Sequence, residues 1–592
     1  MVSEGAADRR HLHILRTIIL GIVLSLQVGS ATAEPKPEIL IEKVDTKLAA
    51  NIRHHLTIAK EPCSRPLFLL ERFRRRIDKE VDSAARALGY YHARIKRLEL
   101  RQKDKCWQLK LAIDEGPRVR ITSVNVRLKG QAATDPVFET LLQNLALKPG
   151  DPLDHSGYEK IKFQLKNLAL RRGYFDAGFR VHELKVDVES NQAQIHLVFD
   201  SGRRYHFGPV RIQQDILDPQ FVQRYVNLEP DEPFTSQDLT SLYRRFADSG
   251  LFRHIKIDTH PEEAESEVPI TVSLTAKKRH RYALGVGFDT NTGPRATFNY
   301  KNRYVTRSGH QFNMELRYTP VEPRATATYS IPLWDPLKES LRFNTGYRRQ
   351  DVDSFLSDQA TLNIVFTHLR KEWTETLSLN LNYEESQVAK EKVVQSLIIA
   401  PVVGWTQKTA EVQNGLIHHG HKFDFKLRGG LSLLGNGAHF LKMQMFGRYV
   451  FSLPWKARLH HRWEIGAVAT PRFGKLTASN RFFAGGDNSI RGYKYLSQGP
   501  VDDNGKVIGG RYLGVVSLEY EQTVYGNWGL ALFVDGGNAY NHLKNLWRDR
   551  KFGGGVGLRW LSPVGLVRLD FAVPMNHEFE EFRIHFAIGP VL

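Results

Sequence analysis

From about Arg279 to Leu592, 314 residues, the chain alternates apolar and polar side chains with a period of two. Leu377, Leu379, Leu381 and Tyr383 interleave with Thr376, Ser378, Asn380 and Asn382. The same holds for Leu441, Met443, Met445 and Tyr449 against Lys442, Gln444 and Arg448, and for Val567, Leu569, Phe571 and Val573 against Arg568 and Asp570. Successive side chains of a strand point to opposite faces, so this region predicts antiparallel strands with one apolar and one polar face. A half-buried soluble sheet has that periodicity, and so does a barrel with lipid outside and water inside. A mean hydropathy of -0.38 suits the barrel, whose lipid-facing half is hidden in the average. With roughly 20 residues per strand and its loop, the region predicts about 16 strands, an even number as bacterial barrels require. An open edge in lipid would leave backbone groups unsatisfied, so the first strand, Tyr282 to Phe288, and the last, Phe582 to Ile588, are expected to meet. Gly285 and Gly287 thin the first, while Gly589 and Pro590 interrupt the chain after Ile588, so this lateral seam is expected to be weak.

The amino-terminal segment, residues 1–33, predicts an export signal: Arg9, Arg10 and Arg16, then an apolar run from Ile18 to Leu26, then Ala31-Thr32-Ala33. No other stretch approaches 18 consecutive apolar residues, so no spanning helix is expected. Export, the alternation and the many aromatic residues at strand ends together favour the barrel.

Between Glu34 and Lys278 a pattern recurs with a period near eighty residues. Each unit ends a helix-compatible run on a glycine-aromatic turn: Leu88-Gly89-Tyr90-Tyr91, Arg172-Gly173-Tyr174-Phe175 and Ser249-Gly250-Leu251-Phe252. Pro149-Gly150-Asp151-Pro152-Leu153 and Pro230-Asp231-Glu232-Pro233-Phe234 stand 81 positions apart. Such self-similarity predicts tandem small domains of strand, helix, strand, strand, here 34–115, 116–200 and 201–278, ahead of the barrel at 279–592. In the second unit Tyr158, Ile161, Leu165, Leu168 and Leu170 predict a buried helix face that Gly173 terminates.

The only cysteines, Cys63 and Cys106, lie in the first unit of an exported chain, where either a disulfide or two buried thiols fits. The formal charge of +19 falls to +18 once Arg9, Arg10, Arg16, Glu4 and Asp8 are removed. No nucleic-acid motif accompanies it, so the charge reads as solvated faces and a basic lumen, with no nucleic-acid partner. GxSxG, HExxH, CxxC and Walker A patterns are missing, and adjacent histidines such as His460 and His461 point to opposite faces of a strand. No catalytic residue, metal or cofactor is expected; an outer-membrane barrel hydrolase is the competing class.

The stretch Arg481 to Pro500, RFFAGGDNSIRGYKYLSQGP, breaks the alternation. Gly485, Gly486 and Gly492 and a lone cation, Arg491, predict a structured loop. Glu519 in Ser517-Leu518-Glu519-Tyr520 and Asp535 in Val534-Asp535-Gly536-Gly537 put one carboxylate each in an apolar strand, where it needs a partner. Ile490-Arg491-Gly492-Tyr493 resembles the [VI]RG[FY] loop motif of the BamA/TamA outer-membrane insertase superfamily, and Glu519 and Asp535 resemble that family's luminal acidic partners. The three repeats resemble polypeptide-transport-associated (POTRA) domains; three copies, with the Gly-Pro-x-Leu ending, fit the TamA branch, where BamA has five and two-partner secretion translocators two.

The resemblance implies α+β tandem POTRA domains followed by an all-β outer-membrane barrel of a Gram-negative bacterium, with the POTRA domains in the periplasm. It implies insertion or translocation of autotransporter-type clients, an inner-membrane-anchored TamB-like partner reached through the POTRA domains, contact with outer-membrane lipid, and a seam that parts to admit a client strand. Phospholipid transport between the membranes with the same partner, or BamA-like general insertion, fits the same residues.

Overall fold

A computed structural model describes residues 37–588 except 105, 263–265, 414–415, 436, 564 and 577–581. The export segment, Gly589 and Pro590 therefore lie outside the described residues. The chain divides into two compact units, Met1–Tyr205 and His206–Leu592.

The first unit contains two three-stranded sheets. One is built from β1 (Glu38–Glu42), β2 (Arg94–Lys103) and β3 (Cys106–Asp114) in the order β1-β3-β2. The other repeats that order with β4 (Arg120–Lys129), β5 (Gly178–Asp187) and β6 (Gln192–Asp200) as β4-β6-β5. In each the last strand lies in the middle, parallel to the first and antiparallel to the second. Helices Thr46–His55 and Arg74–Ala87 bury Leu48, Ile52, Ile77 and Val81 against Trp107, Leu109 and Leu111 of β3. Cys63 and Cys106 form a disulfide, with Cα atoms 4.3 Å apart, that pins the connection between those helices to β3.

In the second sheet, helix His155–Arg171 packs Tyr158, Ile161, Leu165 and Leu168 on Ile195, Leu197 and Phe199. Leu170, expected on that face, is exposed, and Ala169 takes the buried place. At 100° per residue, position 169 follows Leu165 by four and stays on the stripe, whereas 170 turns off it. The helix ends at Gly173, whose φ of +82° supplies the left-handed residue that closes it. Asp135 is buried in this domain: it accepts from the Val137 N–H, capping helix Pro136–Gln143, from Arg172 Nε at 2.7 Å and from the Tyr174 hydroxyl at 3.1 Å. Burial pushes its carboxyl up, but these donors, Arg172 first, outweigh it and hold it below the usual range.

The second unit opens with the third copy, β7 (His206–Gln213), β8 (Phe252–Thr259) and β9 (Glu267–Ala276), again in the order β7-β9-β8. Helix Ser236–Asp248 buries Leu242 and Phe246 above it. This sheet is joined to the barrel through Arg245, which contacts the Asp335 carboxylate at 3.0 Å, and through the Asp218 N–H to the Arg307 carbonyl at 2.9 Å.

Sixteen antiparallel strands follow: β10 (His280–Asp289), β11 (Gly293–Asn302), β12 (Gln311–Tyr318), β13 (Arg324–Pro332), β14 (Glu339–Val352), β15 (Phe355–Arg370), β16 (Trp373–Val388), β17 (Val394–Gln413), β18 (Leu416–Gly435), β19 (Phe440–Leu453), β20 (Ala457–Ala469), β21 (Tyr512–Tyr525), β22 (Trp528–Tyr540), β23 (Lys551–Ser562), β24 (Gly565–Pro574) and β25 (Arg583–Ile588). Each pairs with its sequence neighbour, as hairpins do. Leu377, Leu379 and Tyr383 point outward and exposed, while Asn382, Glu384 and Lys442 are buried on the inner face. The wall is thus apolar outside and polar inside, as the alternation requires.

The barrel is nearly closed. Among the described residues no ladder pairs β10 with β25, so the two strands, expected to meet at a weak seam, meet without backbone pairing. β25 has only six residues to offer. Leu284 and Val286 on β10 are 86% and 95% exposed, against 57% and 46% for Leu377 and Leu379 in mid-wall, because one flank of β10 lacks a neighbouring strand. Contact across the gap includes Phe288 and Phe586, with ring centroids 6.3 Å apart, and the Phe586 N–H donating to Thr290 Oγ1 at 3.3 Å.

Candidate functional site: the luminal arginine loop

The connection between β20 and β21 runs from residue 470 to 511 and folds inward rather than away from the wall. Ile490, Arg491, Gly492 and Tyr493 are all buried. The Arg491 guanidinium grips Asp535 on β22 with two arms, Nε to Oδ2 at 2.8 Å and Nη2 to Oδ1 at 2.9 Å. The Arg491 N–H adds a third bond to the same carboxylate at 3.0 Å. Its Nη1 reaches Glu519 on β21 at 2.6 Å and Asp570 on β24 at 3.2 Å, and its guanidinium carbon lies 3.5 Å from the centre of the Phe533 ring. Planar guanidinium is suited to this bidentate, stacked arrangement, where a lysine would offer one point charge.

A second cation completes the cluster. Arg559 on β23 bonds Glu519 at 2.6 Å and also contacts Asp570, so two arginines are shared among three carboxylates. Arg559 is 1% exposed and Asp535 0%; charges this deeply buried require such pairing.

The backbone of the loop needs the wall to make room. A Cβ on Gly553 of β23 would lie 1.9 Å from the Arg491 carbonyl oxygen, so glycine there is what admits the loop. Gly492, at φ +94°, places its backbone directly against Val573 and Pro574 of β24. Tyr493 is buried beside it and donates its hydroxyl to the Phe552 carbonyl at 3.3 Å.

The remaining residues expected at sites fall elsewhere. Gly285 and Gly287 sit on β10, where a Cβ at Gly287 would meet the Arg295 guanidinium at 3.1 Å, so these glycines face the lumen. Ile588 ends β25. The structure adds Arg559, Asp570, Ser517 and His585 to the loop's surroundings. Arg568 and Asp570 carried a signal, since the alternation puts both on the polar face of β24. His460, Glu519 and Glu521 are also close enough to share an ion. Their carboxylates are already engaged by Arg458, Arg491 and Arg559, so the group is an extension of the ion-pair network.

Comparison with known proteins agrees with this architecture. Residues 38–115 match the model of the POTRA domain, TamA domain 1, and residues 120–202 that of the POTRA surface antigen variable number repeat. The chain is 22% identical over 526 residues to the outer membrane protein assembly factor BamA of Nitratidesulfovibrio vulgaris, covering 85% of this chain and 66% of that protein. It is 21% identical over 575 residues to BamA of Neisseria meningitidis serogroup B, covering 85% and 70%. Among solved structures, BamA from Haemophilus ducreyi lacking POTRA domains 1–3 superimposes with a TM-score of 0.66 at 16% identity, over 79% of this chain and 99% of that one. Residues 269–590, more than half of the sequence and all of the barrel, match the Omp85 superfamily domain, and the chain belongs to that superfamily.

Proposed function

We propose that this chain is an outer-membrane assembly factor that inserts or translocates β-barrel clients of the autotransporter type, using the unpaired flank of β10 as a template. The observation that carries this reading is the seam: two terminal strands brought together without a ladder among the described residues, one of them with Leu284 and Val286 almost fully exposed. An edge of unpaired N–H and C=O groups adds an extended strand readily, and in lipid each group so satisfied is worth several kcal/mol. Client pairing and burial then drive the step, and no catalytic residue or ATP is needed. The barrel lies in the outer membrane and the POTRA domains in the periplasm.

The three sheets ahead of the barrel and the match of residues 38–115 to a TamA-type POTRA domain support the TamA branch over a general insertase. In that reading the POTRA sheets receive clients and an inner-membrane-anchored TamB-like partner along their edges. The site residues Ile490, Arg491, Gly492, Tyr493, Glu519 and Asp535 hold the lumen plug in place while Gly285, Gly287 and Ile588 flank the moving edge.

The test is a lock. Cysteines at Phe288→Cys and Phe586→Cys replace rings already in contact. Surface display of an autotransporter is measured in cells relying on this variant, oxidised and then reduced; single-cysteine chains control for reduction of Cys63–Cys106. Loss of display on oxidation, restored by reductant, is expected. Display that survives a complete cross-link would refute the seam as the working part and leave lipid passage as the stronger reading.

A further inference from the structure

Between Gly485 and Arg491 the loop makes a tight turn: the Gly486 N–H donates to the Ile490 carbonyl at 3.3 Å, the Ser489 N–H to the Gly486 carbonyl at 3.0 Å, and the Gly485 N–H to Ser489 Oγ at 3.0 Å. The tip presents Asp487 toward the gap between β10 and β25, away from the Arg491 cluster. Its carboxylate accepts from Thr290 Oγ1 at 3.3 Å, in the turn that follows β10, and from His585 Nδ1 on β25. Its N–H donates to Asn291 Oδ1, also 3.3 Å away.

His585 is fixed at both ring nitrogens. Nε2 accepts from the Gly492 N–H at 3.0 Å, so that nitrogen carries no proton and Nδ1 is the donor to Asp487. Thr290 is likewise used twice, receiving the Phe586 N–H while donating its own proton to Asp487. The bonds form a closed ring: Asp487 to His585, along β25 to Phe586, across to Thr290, and back to Asp487. Asp487 and His585 are largely buried, with side-chain exposures of 14% and 6%.

We propose that Asp487 is a positioning residue for the seam, tying β10 and β25 to the luminal loop so that seating of the loop and closure of the edge are one event. It rests on the reading of the seam as the client's entry. Backbone pairing that would ordinarily join the two strands is replaced by three side chains, Asp487, Thr290 and His585, and the Phe586 N–H. The loop is anchored on β21, β22 and β24 through Arg491, so whatever frees Arg491 also withdraws Asp487 and the Gly492 N–H from the seam. The coupling is reciprocal: a client strand that displaces β25 from β10 breaks the Asp487 contacts and loosens the loop.

The experiment reads the rate at which Phe288→Cys and Phe586→Cys cross-link under mild oxidation in the full-length protein in outer membranes. Asp487→Ala is expected to lower that rate about tenfold, the scale of losing the two hydrogen bonds that Thr290 and His585 donate to it. Heat-modifiable migration should stay intact, because the Arg491 cluster is untouched. Asp487→Asn, which keeps an acceptor for both Thr290 and His585, is expected to stay within about twofold of the parent. Should Asp487→Ala fail to assemble, Thr290→Val is the second variant: it removes both Thr290 bonds, to Asp487 and from the Phe586 N–H, and is expected to slow cross-linking at least as much, with Asp487→Asn near the parent rate separating the carboxylate's part. A parental cross-linking rate in Asp487→Ala, or in Thr290→Val, would overturn the proposal. A slowed rate accompanied by autotransporter display that is indifferent to locking would uphold the tie and refute the seam as the client's route.

Discussion

Replacing Arg491 by alanine removes the cation that three strands share, and the structure indicates what remains. Asp535, with no exposure, loses both guanidinium arms, and Glu519 and Asp570 are left with Arg559 alone. One-sided removal of a buried, hydrogen-bonded ion pair costs about 3–5 kcal/mol. The barrel ladders are unaffected, so the cost falls on the equilibrium between a seated and an expelled loop. Converted at 1.4 kcal/mol per tenfold, the ratio of seated to expelled loop drops by a factor of roughly 150 to 4000. Ile490, fully buried when the loop is seated, is the reporter: both native cysteines are in the disulfide, so Ile490→Cys gives a single thiol. Maleimide labelling of Ile490→Cys in outer membranes should be slow, and should accelerate at least a hundredfold when Arg491→Ala is added. Arg491→Lys, which keeps charge but loses the fork, should fall between. Labelling rates within twofold of each other would refute the argument that this ion cluster holds the loop.

Gly553→Ala is predicted to give the same accelerated labelling with every charge retained, because its methyl would occupy the place of the Arg491 carbonyl; unchanged labelling would mean the wall yields instead. Asp135→Ala should destabilise the second POTRA domain by about 2–4 kcal/mol, read by limited proteolysis of the full chain, since it leaves Arg172 and the helix end without their acceptor. Because the folded carboxyl of Asp135 is held below its unfolded value, its contribution is complete above about pH 4 and is lost as pH falls through the depressed folded value. The Asp135→Ala variant should accordingly show a flatter acid limb in proteolysis than the parent.

The sequence made the barrel legible because period two is a local property: each of Leu377 to Tyr383 declares its face without reference to any distant residue. Arg491, Glu519 and Asp535 were legible for a related reason, each being a charge set in a segment that gives it no local partner. Asp570 and Arg559 were not, although the alternation pointed Asp570 inward. Which inward charges meet depends on strand register around the wall, and nothing near residue 570 specifies that it comes to lie 3.2 Å from a guanidinium 79 positions earlier. For the seam, Gly285, Gly287, Gly589 and Pro590 signal only a weak ladder. What joins it is Asp487, Thr290 and His585, common polar residues whose role exists only once the loop is inside. Leu170 misled for the opposite reason: an apolar residue next to a helix face counts as part of it until the 100° step is applied, and Ala169 was overlooked because it is small.

The wall residues that receive Arg491 and Gly492 lie after them in the chain: Ser517, Glu519, Asp535, Gly553, Asp570 and His585. These are non-local contacts, and chain closure must be achieved before they return any energy. While this protein is itself being built into a membrane, Arg491 has no socket until the final hairpins are in place, and an unfinished wall offers it only solvent. Seating of Arg491 is therefore a late signal: its socket is complete only when β24 has arrived, and a chain shortened by the last strand alone leaves Gly492 unmoored at His585.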